Sequence, residues 1–177
     1  SAANVVGLGN VILKPYVVGT PIFTLTAKDT WRYGSLTNLK FMGVAGAGIG
    51  VKSTSVDAGR MRFDQVTFCH LGTGVDLQHG NIGLTFRNCE FSYCAYGIKL
   101  VGDSVSHAGC VLVEQCHFSY NTLAAFYYND TFPITGQIRL VDCVFELNYG
   151  TSIYIKGFKG IGSIRIESPW FEDRTTH

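Results

Sequence analysis

Two glutamates and a histidine stand at nearly regular spacing in this sequence, and they are candidates for acid–base chemistry. Glu90 and His117 are 27 residues apart, and Glu146 follows His117 by 29 residues. Hydrolysis of a glycosidic bond usually needs two carboxyl groups, about 5–5.5 Å apart for retention of configuration and about 6.5–9.5 Å apart for inversion. We therefore predict that one of Glu90 and Glu146 is the general acid and the other the base or nucleophile, with His117 between them tuning their charge. Asp64 and Glu114 are reserve candidates.

Several aromatic side chains offer flat faces and polar tips of the kind that contact sugar rings. The same residue types also fill protein interfaces, so a subunit contact is an equally open interpretation. Aromatic residues that fall outside the predicted core column also include Tyr127 and Tyr128. The candidate carbohydrate-binding residues are Tyr93, Tyr120, Tyr149 and Trp170.

An internal repeat must position these residues. Six segments align, each ending on phenylalanine, and the phenylalanines are separated by 27, 23, 27, 27 and 26 residues. Such a period indicates a solenoid, in which equivalent residues stack on one another. The aligned segments are LTNLKF (36–41), FDQVTF (63–68), FRNCEF (86–91), VEQCHF (113–118), LVDCVF (140–145) and IESPWF (166–171).

Each repeat contains the signals of short strands joined by tight corners. From the second segment on, apolar residues seven and five before the phenylalanine alternate with polar ones, which predicts a short strand. A second apolar group follows the phenylalanine, at IGV (49–51), VDL (75–77), IKL (98–100), AFY (125–127) and IYI (153–155), and predicts another wall. The residues three before each phenylalanine tolerate tight bends, so a corner is expected at Asn38, Gln65, Asn88, Gln115, Asp142 and Ser168.

The pattern predicts an all-β fold, a right-handed single-stranded parallel β-helix of about six to seven rungs. No helical apolar period is present, and loops of unequal length recur at one corner of the repeat. We expect a single domain over residues 1–177, with an irregular first coil at 1–34, regular rungs at 35–171 and a tail at 172–177. Stacking at about 4.8 Å per rung then places the candidate catalytic residues on one wall and a ladder of opposite charges on another.

Composition excludes some partners. The chain has 14 Lys and Arg against 13 Asp and Glu, so its formal net charge is +1. A global field that attracts nucleic acid or an anionic membrane is therefore not expected, nor is membrane insertion, which takes about 20 apolar residues. The opening SAANVVGLGN lacks the pattern of a signal peptide.

Three of the six cysteines are predicted to be buried thiols that pack as small hydrophobic residues. Cys89, Cys116 and Cys143 share one inward column, whereas Cys69, Cys94 and Cys110 lie off it, and we expect Cys69 to be partly exposed. Their spacing contains no CxxC pair, so neither a metal nor another cofactor is predicted. Reduced thiols fit assembly in a cytoplasm.

The repeat of Phe columns, polar corners and short strands resembles the pectate-lyase-like superfamily. The closing stretch SIRIESPWFED (163–173) is similar to the β-helix body of bacteriophage tailspikes, and the opening GLGNVILKPYVVGTPIFTLTAKDTWRYGSLTNLKFMG (7–43) is similar to the first coils of such domains. This resemblance implies a homotrimer in the virion tail that binds bacterial surface polysaccharide and cleaves it as a glycoside hydrolase or lyase. A non-catalytic receptor-binding spike and a structural segment of a larger fibre stay open. Tailspike catalytic residues follow no common motif, so none is transferred to this chain.

Overall fold

Short parallel strands recur along the computed structural model. It describes residues 4–25, 34–44, 46–53, 60–78, 83–102, 110–129, 137–157 and 162–172. The strands are β1 (Asn4–Val6), β2 (Ile12–Leu13), β3 (Pro21–Leu25), β4 (Ser35–Thr37), β5 (Lys40–Met42), β6 (Ile49–Ser53), β7 (Arg62–Asp64), β8 (Thr67–Cys69), β9 (Thr73–Gln78), β10 (Leu84–Arg87), β11 (Glu90–Ser92), β12 (Tyr96–Val101), β13 (Val111–Glu114), β14 (His117–Ser119), β15 (Ala124–Asn129), β16 (Gln137–Val141), β17 (Val144–Glu146), β18 (Thr151–Lys156), β19 (Ser163–Glu167) and β20 (Trp170–Glu172).

Every third strand stacks in the same sheet, which makes the chain a parallel β-helix with three walls. Sheet A contains β1, β4, β7, β10, β13, β16 and β19, sheet B contains β2, β5, β8, β11, β14, β17 and β20, and sheet C contains β3, β6, β9, β12, β15 and β18. These strands form six coils and the first two strands of a seventh, which confirms the predicted fold class. The ladder begins at Asn4, within the segment for which the sequence predicts an irregular coil. The predicted insertion loops lie largely outside the described residues, and each separates a sheet C strand from the next sheet A strand.

The predicted corner lies between sheets A and B. All six residues three before the phenylalanines adopt left-handed backbone conformations, with φ between 48° and 54°. Asparagine, aspartate and other short polar residues tolerate this region better than β-branched ones. At the first such corner the Asn38 side chain also donates a hydrogen bond to the Gly7 carbonyl of the preceding coil, at 2.9 Å. The corner is confirmed, and it turns the chain from one wall to the next.

A stack of phenylalanine rings forms the spine of the core, as predicted. Successive ring centroids from Phe41 to Phe171 are 4.9–5.1 Å apart, and the rings are nearly parallel. The first five are buried, whereas Phe171 at the end of the stack is 53% exposed because no described rung covers it. The members are Phe41, Phe68, Phe91, Phe118, Phe145 and Phe171.

Sheet C packs so closely against this stack that one of its columns must be small. A Cβ atom added at Gly97 would lie 2.5 Å from the Ala125 carbonyl oxygen and 3.1 Å from the Phe118 ring. In the next coil this column holds Ala125, and the register aligns Phe126 and Tyr128 with the inward residues Ile98 and Leu100. The AFY segment (125–127), which the sequence analysis aligns with IKL (98–100), is therefore offset from it by one residue.

The thiols of the inward column are buried, as predicted. The Cys89 and Cys143 thiols donate long hydrogen bonds to carbonyl oxygens of the preceding coil, at 3.4 and 3.5 Å. Burial raises the pKa of Cys116 and Cys143 above the ordinary thiol value. The expectation that Cys69 is partly exposed is wrong, because its side chain is covered on the outer side of sheet B. Burial also raises the pKa of Cys94, to about 12.

Thiol titration should therefore separate one cysteine from the other five. Cys110 is exposed, whereas the remaining cysteines are buried. A buried neutral thiol does not supply the thiolate that attacks a disulfide reagent. Ellman's reagent should react rapidly with one thiol per native chain at neutral pH and with six in denaturant. Cys110→Ser should abolish the fast reaction. Rapid reaction of a second thiol in the native protein, or a fast reaction that persists in the Cys110→Ser variant, would contradict this assignment.

An asparagine pair missed by the sequence analysis fastens the second corner, between sheets B and C. Asn121 is fully buried, and its Nδ2 donates to the Phe91 carbonyl at 3.0 Å. Its Oδ1 accepts from the Cys94 amide at 3.2 Å. Asn148 repeats the arrangement one coil later, accepting from the Asn121 amide and donating to the Phe118 carbonyl. Both residues stand three after a stacked phenylalanine, which is the signal that would have identified them.

Asn121→Ala should lower the free energy of unfolding by about 2–4 kcal/mol. The substitution leaves the Cys94 amide and the Phe91 carbonyl buried without these partners, and each unsatisfied group costs about 1–3 kcal/mol. Chemical denaturation of both proteins measures the difference. Thr122→Ala is the neighbouring control, because Thr122 is exposed, and it should change stability by less than about 0.5 kcal/mol. Equal effects of the two substitutions would contradict the structural role of Asn121.

Candidate functional site

The outward face of sheet B brings the predicted catalytic residues onto one wall. From β5 onward each strand of this sheet places its stacked phenylalanine inward, so the residues before and after it face outward. Glu90 and His117 are direct partners in the register of β11 and β14. Two rungs beyond His117 the same column holds Trp170, after Val144. The predicted one-rung separation of Glu90 and His117 is confirmed.

Glu146 lies in the neighbouring outward column, not in the column of Glu90. Its register partners are Ser119 and Glu172. The diagonal offset still allows contact, because His117 Nε2 and Glu146 Oε2 are 2.9 Å apart. Both side chains are partly exposed, at 43% and 31%. The imidazole and the carboxylate therefore form a fixed pair that remains open to solvent.

Glu90 is oriented by a hydroxyl of its own strand. The Ser92 hydroxyl donates to Glu90 Oε1 at 3.0 Å. Ser92 is itself covered by its surroundings, whereas Glu90 is exposed. Since Glu146 lies two rungs further along, about 10 Å separates the two glutamates along the axis. The wall thus presents two glutamates with His117 between them, and their catalytic role stays a prediction.

A stack of aromatic rings borders this wall on the second corner. The rings of Tyr93 and Tyr120 are parallel, with centroids 4.7 Å apart. His70 extends the stack on the other side of Tyr93, with a centroid distance of 5.0 Å. All three residues have left-handed backbone conformations, with φ of 55°–56°. The sequence analysis missed His70, although it stands two after a stacked phenylalanine, as Tyr93 and Tyr120 do.

The other predicted carbohydrate contacts occupy separate places. Tyr149 lies in the turn between β17 and β18 and is 55% exposed, and Trp170 is 64% exposed at the last rung of sheet B. Trp170 is three rungs from Glu90, which excludes direct contact between the two. Tyr128 lies in the core and is wrongly placed outside it by the sequence analysis. Tyr127 faces outward from sheet C, where its ring stacks on Tyr154 at 4.8 Å.

Sheet A carries the predicted ladder of opposite charges. Arg87 and Glu114 are paired at 2.7 Å across adjacent coils. Arg139 and Glu167 form a second such pair at 3.3 Å. The reserve candidate Glu114 is thus engaged by arginine. The other reserve candidate, Asp64, has an Oδ1 atom that is shielded from solvent and accepts no hydrogen bond from the described part of the chain.

Sheet C presents a polar cluster that the sequence analysis did not identify. Lys52, Asp76 and Lys99 are consecutive in the register of its outward column. Asp76 is only 4% exposed, and the Gln78 amide donates to it at 3.3 Å. The Lys99 ammonium lies 5.4 Å from the centre of the Tyr96 ring. The alternation of charges along this column is the sequence signal that was overlooked.

Comparison with known proteins identifies the class of this domain. Residues 26–175 match the family model described as right handed beta helix region. The chain therefore belongs to the right-handed β-helix family, a result consistent with polysaccharide-binding or enzymatic β-helix proteins. Neither the curated proteins nor the solved structures contain a significant match.

The residues that the structure describes include neither a membrane-spanning helix nor a cluster of metal-binding side chains. Within those residues, no helix is long and apolar enough to cross a membrane. The same part of the chain contains no group of three or more His, Cys, Asp or Glu side chains placed to hold a metal ion.

Proposed function

We propose that this chain is the β-helix body of a tailspike-type protein that binds bacterial surface polysaccharide along sheet B and depolymerises it there. One observation carries the proposal. The outward face of sheet B has hydrogen-bonding groups on successive rungs beside the stacked rings of Tyr93, which is exposed, and Tyr120, which is half-buried. A linear polymer of hydroxylated rings has a matching repeat of polar groups and apolar ring faces, so it can follow the axis of the rod.

The spacing of the glutamates favours hydrolysis with inversion. Two rungs separate the backbones of the two glutamates by about 10 Å along the axis, which is closer to the 6.5–9.5 Å between carboxyl groups of inverting enzymes than to the 5–5.5 Å of retaining ones. In the inverting arrangement a water molecule stands between base and sugar. In the proposed reaction Glu146, oriented by His117 at 2.9 Å, takes a proton from that water. The water oxygen bonds to the anomeric carbon as the glycosidic bond breaks, and Glu90 gives its proton to the leaving oxygen.

Incubation with a panel of purified bacterial capsules and lipopolysaccharides tests the proposal. Hydrolysis should produce new reducing ends without ultraviolet absorbance, whereas elimination by a lyase would produce unsaturated, absorbing sugars. Binding without either product would identify a receptor-binding spike. Neither binding nor cleavage across the panel would favour a structural segment of a larger fibre.

We also propose that three copies associate side by side in the virion tail, as the tailspike resemblance implies. Large apolar side chains of the first coil support an assembled form, because Leu8 is 89% exposed and Tyr16 is fully exposed. Sedimentation at micromolar concentration should show a species three times the 19.4 kDa mass of the chain. A stable monomer under those conditions would contradict trimerisation by this domain.

A further inference from the structure

Charge is distributed unevenly over the three outer walls of the rod. From β11 to β20 the outward residues of sheet B include three glutamates and neither lysine nor arginine. On sheet A, by contrast, Glu114 and Glu167 are each paired with an arginine. The outward column of sheet C holds Lys52 and Lys99 on either side of Asp76. The part of sheet B proposed to bind polysaccharide is therefore acidic, although the formal net charge of the chain is +1.

One of these three carboxylates has no role in the proposed reaction. Glu172 is the register partner of Glu146 in the adjacent strands β17 and β20, and like charges directly opposite each other are destabilising. Glu146 contacts His117 at 2.9 Å. Among the described residues, however, no lysine, arginine or histidine forms an ion pair with Glu172. A cationic group of a ligand at Glu172 would offset the repulsion between the two glutamates.

An exposed aromatic ring stands beside this carboxylate. Trp170 lies two residues before Glu172 in β20, so both side chains project from the same face of the strand. The Trp170 side chain is 64% exposed. An indole face stacks on the apolar face of a sugar ring, and it attracts a cation placed within about 6 Å of its centre. Trp170 and Glu172 together therefore suit a sugar that carries an ammonium group.

From this charge pattern we infer that the sheet B site takes an amine-bearing polysaccharide, with a protonated amino group of one sugar at Glu172 and the ring of that sugar on Trp170. The substrate class is a polymer of hexosamine units whose amino groups are free rather than acetylated. The position of the polymer and its cleavage rest on the proposed function, whereas the preference for an amine rests on the charges of sheet B. Glu172 selects the substrate and takes no part in bond cleavage.

Titration calorimetry of the full chain at pH 6 tests this preference with three probes. They are a glucosamine hexasaccharide, the same oligosaccharide after N-acetylation, and hexalysine, which carries amines without sugar rings. The glucosamine hexasaccharide should bind at least about tenfold more tightly than its acetylated form, and rising salt should reduce the difference. It should also bind more tightly than hexalysine, which has no ring face to stack on Trp170.

Three variants assign the preference to its residues. Glu172→Gln should reduce the preference for the glucosamine form about fivefold, the factor expected for one pair of unit charges about 4 Å apart in water. Glu167→Gln is the matched control, because it removes a carboxylate from the same coil but on sheet A, and it should leave the preference unchanged. Trp170→Ala should weaken binding of both saccharides, because both present a ring face to the indole.

Three results would overturn the inference. Equal affinity for the glucosamine hexasaccharide and its acetylated form would remove the preference for an amine. Hexalysine binding as tight as that of the glucosamine hexasaccharide would show attraction by charge alone. Equal loss of the preference in the Glu172→Gln and Glu167→Gln variants would exclude a specific role of Glu172.

The inference and the proposed function fail in different ways. If a polysaccharide without amino groups is cleaved and Glu90→Gln abolishes that cleavage, the proposed function stands and only the preference for an amine fails. If the amine preference is measured but no polymer is cleaved, recognition of the amine stands and the proposed depolymerisation fails.

Discussion

Glu90→Gln or Glu146→Gln should lower the rate of polysaccharide cleavage by two to four orders of magnitude, the usual contribution of a general acid or base. Glutamine keeps the size of the side chain but neither gives nor accepts the proton that the reaction moves. Binding of the polymer should be largely retained, because hydrogen bonding and ring contacts on sheet B remain. The decrease should therefore appear in kcat more than in KM.

The matched controls for this experiment are glutamates on the opposite wall. Glu114→Gln and Glu167→Gln each remove one partner of a sheet A ion pair. They should change the cleavage rate by less than about twofold, because they lie on a different wall from Glu90 and Glu146. The fold should also be retained, because exposed ion pairs contribute only about 0–1 kcal/mol to stability. Full activity of both sheet B variants, together with loss of activity in Asp64→Asn or Glu114→Gln, would move the catalytic site to sheet A.

Phe118→Ala should lower the free energy of unfolding by about 3–5 kcal/mol, because it removes a fully buried ring and leaves a cavity between two neighbours. Phe118 is 0% exposed, and its ring stacks on Phe91 and Phe145 at 4.9 and 5.0 Å. For a chain of this size the melting temperature should fall by about 10 °C. Differential scanning calorimetry or denaturant titration measures the change.

The other end of the same column supplies the control. Phe171 continues the stack at 5.1 Å from Phe145 but is 53% exposed. Phe171→Ala removes less buried apolar surface and leaves no enclosed cavity, so its effect should be clearly smaller than that of Phe118→Ala. A melting temperature of Phe118→Ala within about one degree of the unchanged protein would refute the stacked register.

The main lines of the fold were predictable because successive coils of a solenoid repeat at a nearly constant interval in the sequence. Equivalent residues occupy equivalent environments, so the repeat identified the Phe column, the left-handed corner at Asn38 and its equivalents, and the wall shared by Glu90 and His117. The paired charges of sheet A followed from the same register. In each case the interaction lies between residues about one repeat apart, so the length of the repeat identifies the interacting residues.

Only the tertiary structure decided the features that depend on a shift of one residue along a strand. Neighbouring residues of a strand face opposite sides, so a one-residue offset placed Tyr128 in the core and turned Tyr127 to the outer, half-buried face of sheet C. The contact between His117 and Glu146 joins different columns and depends on the direction of both side chains. The burial of Asn121 depends on how adjacent coils cover one another. A sequence period specifies which residues stack, whereas the space left between the stacks is set by packing in three dimensions.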